Sequence, residues 1–168
     1  ITVNGFIDAF TSSAGFTIVP QQGTVSKLDT LGDKIMTPLV YQNRSGTESL
    51  WASGTVCTDA NCTGATGIRW YQFNVTGGTF PATPVQQQTW TNNSDGVWRF
   101  MPSIAVDNCG DAAIGYSTSS ASLFPGIRYA GRLVTDPLNG LGQGEAVMVN
   151  GTASQPSNRW GAYTMTTG

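Results

Sequence analysis

The chain has 168 residues, of which 11% are charged, with a formal net charge of −2 and no histidine. That length holds one domain with a real core, and the weak acidic balance leaves no electrostatic footprint for nucleic acid or an anionic membrane surface. The missing histidine excludes a Ser-His-Asp triad, a Cys-His pair and the common His-based zinc sites within this chain.

Gly, Ser, Thr, Asn and Gln take the place of charge, a balance that suits an extracellular β-protein. No apolar run approaches the ~18 residues of a membrane span. No signal-peptide pattern precedes Ile1, which we read as a mature or trimmed start. Secretion is therefore expected.

In chain order, short alternating stretches predict strands over 16–19, 35–41, 50–56, 68–75, 85–91, 100–106, 112–116, 127–134 and 145–149. Gly, Asn, Asp, Ser or Pro punctuate them, and no window keeps a helical apolar face. The fold class expected is all-β.

The stretches repeat. Lys34-Ile35-Met36 sits over Arg99-Phe100-Met101, Leu50 over Ile114, and Gly67-Ile68-Arg69-Trp70 over Gly126-Ile127-Arg128-Tyr129. A third copy opens at Arg159-Trp160, and Val19 and Lys34 parallel Val85 and Arg99. A period of roughly 60–65 residues with four strands per copy is that of a β-propeller blade. The expected organisation is consecutive four-stranded antiparallel blades: 1–33 the end of one, 34–98 and 99–158 two whole ones, and 159–168 the first strand of another. A ring of 4–8 blades does not close within so short a chain.

Cys57 and Cys62 bracket a polar run that the second copy lacks, so a disulfide-closed loop inserted in a strand connection is expected. A zinc site would need two more soft ligands. Cys109 is left over.

The stretch from Trp98 to Arg132, with Asp136-Pro137, Gly144-Glu145-Ala146 and Arg159-Trp160-Gly161, resembles a group of secreted bacterial sialidase-like propeller proteins. The resemblance covers roughly 24–168, is most specific over 97–163, and implies a propeller. In that group the last phrase leads into a further strand with a Val-Asp-Pro turn and a Cys, whereas this chain ends Thr-Met-Thr-Thr-Gly.

Several residues are candidates for chemistry. Lys34, Arg99 and Arg159 stand at equivalent positions before the inner strands, where a basic ring can clamp a carboxylate or sulfate. The plainer alternative pairs each cation with a neighbouring carboxylate or carbonyl. Arg69 with Trp70, and Arg128 with Tyr129, offer guanidinium and ring surfaces on which a sugar can stack, or else inter-blade packing. Asp107, Asn108 and Asp111 surround Gly110 as in a short calcium loop, or simply build a hairpin turn. Calcium is the one cofactor considered. The Asn-X-Ser/Thr sequons, such as those at Asn43 and Asn74, arise readily by chance in so Asn- and Thr-rich a chain. No pair of acids is marked by spacing for glycoside hydrolysis.

The function expected is a non-catalytic extracellular or cell-surface module that binds a carbohydrate or protein partner. One alternative is a fragment of a glycoside hydrolase whose acids lie partly outside this chain. The other is a structural subunit that pairs strands with other copies of itself or with the rest of a longer chain.

Overall fold

A computed structural model describes residues 17–32, 35–92 and 94–167. The fold is all-β, with three antiparallel sheets of two, four and four strands. Lys34 lies outside the described residues.

The small sheet pairs β1 (Thr17–Gln21) with β2 (Thr24–Asp29). Sheet 1 is a meander of β3 (Val40–Arg44), β4 (Thr47–Cys57), β5 (Thr66–Asn74) and β6 (Gln86–Trp90). Sheet 2 repeats it with β7 (Trp98–Val106), β8 (Ala112–Ser120), β9 (Leu123–Arg132) and β10 (Glu145–Val149). Each neighbour in sequence is the neighbour in space, so antiparallel connections without crossovers build both sheets.

Two expected strands shift for local reasons. The stretch predicted over 35–41 becomes a strand only from Val40. Pro38 has no N–H for a ladder and biases Thr37 away from regular pairing. The strand runs on instead to Ser45-Gly46, where φ values of 51° and 86° make a two-residue hairpin turn. In β7, Pro102 falls where the register slips between Phe100 and Ser103, and Met101 takes φ 52° beside it. A proline is tolerated within a sheet at such a bulge. The strand β2, with polar residues at most positions, was not anticipated by the alternation rule.

The ladders give their own alignment of the two large sheets. Take Val40 level with Ala105, as the sequence copies do. Their partners Trp51 and Ala113 are then level, and so in turn are Gln72 and Gly131. The same ladders set Arg69 level with Arg128, and Gln87 level with Glu145. The difference from the sequence alignment is in the second strand, where Ile114 lies level with Ala52 rather than Leu50. A slip of two residues keeps every side chain on its face, which is why alternation alone misses it.

The sheets stack face to face. Trp51, Ile68 and Trp70 of sheet 1 pack against Ile104, Ile114, Tyr116 and Ala130 of sheet 2. Trp51 and Trp70 stack with centroids 6.1 Å apart. A second cluster joins Val19 and Leu28 of the small sheet to Cys57, Cys62, Phe100 and Met101 at one end of the stack. The small sheet also meets the β8–β9 hairpin, where Gln22 N donates to Leu123 O and Ser119 Oγ to Pro20 O.

The expected Cys57–Cys62 disulfide is present. Inside its loop Asp59 accepts from the amides of Asn61, Thr63 and Gly64 at 2.6–3.1 Å. One carboxylate thus satisfies the backbone of a connection that has no strand partner.

Candidate functional site

The densest group of charges lies between the two large sheets. Arg99, at the start of β7, is 2% exposed. Its Nη2 donates to Asp95 Oδ2 and its Nε to Glu145 Oε2, both at 2.7 Å. Arg128 Nη1 reaches Glu145 Oε1 at 2.6 Å. The Tyr116 hydroxyl donates to Glu145 Oε2 at 2.6 Å and accepts from the Trp90 indole N–H at 2.8 Å. Arg128 and Tyr116 are cross-strand partners, which places both on the face toward sheet 1. Glu145 opens β10, so three strands of one sheet converge on one carboxylate.

The electrostatics follow from this geometry. Burial pushes the Glu145 carboxyl up, but hydrogen bonds from Arg99, Tyr116 and Arg128 outweigh it and hold the group down to about 2. Burial and the Glu145 carboxylate push the Tyr116 phenol well above its ordinary range. Burial pulls the Arg99 guanidinium down, and Glu145 and Asp95 more than reverse that. A carboxylate so acidic cannot take up and release protons near neutrality, and a phenol so weakly acidic is a poor nucleophile. The group acts as a clamp between strands.

The same clamp has a weaker copy. In sheet 1, Arg69 donates through Nη2 to Gln87 Oε1 and through Nη1 to Thr89 Oγ1 at 3.0 Å. Arg69 and Gln87 stand where Arg128 and Glu145 stand in sheet 2. Its guanidinium also lies 5.3 Å from the centroid of the Tyr71 ring.

Of the residues nominated from sequence, Arg99 and Arg128 come together on Glu145. Arg159 is exposed at the other side of sheet 2 and does not join Arg99. Trp70 is 0% exposed and its indole N–H meets Gln88 Oε1 at 3.3 Å, so its ring belongs to the core between the sheets and offers no face to a sugar. Arg69 is likewise buried. Tyr129, level with Trp70, is 43% exposed on the opposite face of sheet 2.

The turn at 107–111 is built by its own acids. Asp107 Oδ1 accepts from the amides of Cys109 and Asp111 at 2.8 and 2.9 Å, and Asp111 Oδ1 accepts from Val134 N at 2.6 Å. Asn108 is exposed. No cluster of three metal-ligating side chains occurs among the described residues. These oxygens have backbone work to do, as in an Asx-type turn. Cys109 is free and exposed at the tip.

A cleft that the sequence patterns do not reveal opens at one end of the stack. It measures about 470 Å³ and lies where the sheets diverge, between the β3–β4 hairpin and the segment after β9. Gln42, Arg44, Gln72, Gln86 and Arg132 line it. The only sequence signal was the polar run on positions whose alternation partners are core residues.

No family model, curated protein or solved structure matches this chain.

Proposed function

We propose that the chain is a non-catalytic binding module of a secreted protein, with its two four-stranded sheets as consecutive blades of a sialidase-like β-propeller. Its ligand is a carbohydrate or a protein partner. The observation that carries the binding reading is the cleft, whose polar lining is amide, hydroxyl and guanidinium, with no carboxylate. The charges of Arg99, Arg128, Asp95 and Glu145, by contrast, are closed upon one another. Repeated meanders with matching ladders, stacked face to face, support the blade reading. The disulfide and the low charge support an oxidising, extracellular setting.

The enzyme reading is the weaker one. Of its best candidate pair, Tyr116 is buried and Glu145 half-buried, and each group's proton affinity is displaced away from neutral chemistry. A structural role has one observation in its favour. Tyr129 stands level with Trp70, but among the described residues no sheet covers it as sheet 2 covers Trp70. A further sheet docked there would make the face continuous with the stack.

Native gels cast with neutral and acidic polysaccharides test the proposal, together with an assay for newly formed reducing ends. Retardation without release of reducing ends is the expected result. Release of reducing ends would replace the binding reading with the enzymatic one.

A further inference from the structure

Sheets that stack ordinarily bury apolar faces against each other. The face of sheet 1 toward sheet 2 obeys this for half its length, with Trp51, Ile68 and Trp70 in the core. The other half is polar. Gln42 pairs with Ser49, and Gln72 with Gln86, on that same face. These residues line the cleft of about 470 Å³, a volume typical of small-ligand sites.

The opposite wall supplies Arg132, which is only 3% exposed. Its Nη2 donates to Asp136 O at 2.9 Å, while its buried Nε has no hydrogen-bond partner. Burial lowers its pKa, and Asp136 and Asp111 only partly offset that. Neither of those carboxylates pairs with it. Asp136 Oδ2 accepts from Leu133 N at 2.9 Å, and Asp111 Oδ1 holds Val134 N. Arg44, at the exposed β3–β4 tip, completes the cationic lining beside Gly110. None of the residues that line the cleft is acidic. A buried cation without an anion of its own is costly to folding unless a ligand anion serves it.

The amides fit hydroxyl groups. Gln42 commits Nε2 to Asp107 O, and Gln72 commits Oε1 to Gln86 Nε2. The Gln42 Oε1 and the Gln72 Nε2 are left to a ligand. Val134 and Leu138 give one apolar edge, suited to the C–H face of a sugar ring.

We infer that this cleft binds an acidic saccharide, its carboxylate or sulfate held by Arg44 and Arg132 and its hydroxyls by Gln42 and Gln72. The inference rests on the binding-module reading and names the ligand class and the place.

The test is calorimetric titration of the full chain with trigalacturonate, a sulfated disaccharide, neutral cellotriose and hexaglutamate. At least one acidic saccharide binds, added salt weakens it, and neither cellotriose nor hexaglutamate matches it. Arg44→Gln, at an exposed tip, keeps the wild-type unfolding midpoint and weakens binding about tenfold or more, as loss of a charge-assisted contact does. Arg132→Gln weakens it further, and if that variant does not fold, Arg44→Gln decides. Equal affinity for cellotriose or hexaglutamate overturns the inference. Saccharide binding untouched by Arg44→Gln overturns the cleft but leaves the binding module standing. Absence of binding to every saccharide, here and in the native gels, overturns both.

Discussion

Glu145 shows how one residue can organise two sheets. It accepts from Arg99, Arg128 and Tyr116, and Arg99 is nearly without solvent. Replacing it by Gln leaves Arg128 without a counter-charge and the buried Arg99 with Asp95 alone. We expect Glu145→Gln to lower the stability by about 3 kcal/mol, read as a fall in the urea midpoint at neutral pH. The pH dependence has a definite sign. The carboxyl sits at about 2 in the folded chain against an ordinary value of 4.5. Its stabilising share is therefore complete above about pH 4.5 and is lost as pH falls toward 2. Asp95, lowered by Arg99 and the Val97 amide against the pull of burial, fades in the same direction. The wild-type urea midpoint should hold from neutrality to about pH 5 and drop below it, and Glu145→Gln should flatten part of that drop, the rest belonging to Asp59, Asp95 and Asp136, each also lowered.

Gly161 carries a second expectation at this scale. Its φ is 71°, and a methyl added there runs into Ser117 Oγ. Met101 occupies the corresponding place against sheet 1, with φ 52° and its amide bonded to Thr55 Oγ1 at 3.0 Å. Gly161→Ala should cost about 1–3 kcal/mol from backbone strain and the clash. Differential scanning calorimetry would show it as a lower Tm.

Among the elements, the strands and their order were largely legible in the sequence, because period-two alternation and Gly or Asn turns are local signals. Start points were not. Pro38 delays β3, and β2 lacks the alternation that would reveal it. The repeat was legible through Arg-Trp and Arg-Tyr phrases, yet its second strand needed the hydrogen-bond ladders to fix a two-residue slip. The disulfide was legible from spacing, and it closes a short loop that Asp59 already orders. Cys57→Ser with Cys62→Ser should lower stability by about 2 kcal/mol, the entropy of so short a closure, with little change in far-UV circular dichroism. Arg99 and Arg128 were found as candidates, but not their shared carboxylate. Glu145 is far from both in sequence, and only the pairing of β9 with β10 brings it near. The cleft was illegible for the same reason. Gln42, Arg44 and Arg132 meet only because two sheets diverge at one end.

At the scale of the whole molecule, the stack continues past sheet 2. Residues 159–166 lie against it much as β7 lies against sheet 1. Thr164 Oγ1 donates to Met101 O and Thr166 Oγ1 to Ser103 O, each at 3.1 Å. Gly161 meets Ser117, which the ladders set level with Thr55. Copies of one unit thus make one kind of contact twice, and Tyr129 stays exposed beyond it. The binding reading adds that the unit's polar half-face serves a ligand where the sheets part. Amide chemical-shift mapping of the isotope-labelled chain, titrated with trigalacturonate and the sulfated disaccharide, tests both parts together. The account predicts shifts confined to Gln42–Ser45, Gln72, Gly110 and Arg132–Val134, with Arg159 and Trp160 unmoved. Shifts gathered around Arg159 and Tyr129 instead, or none with either ligand, would contradict it.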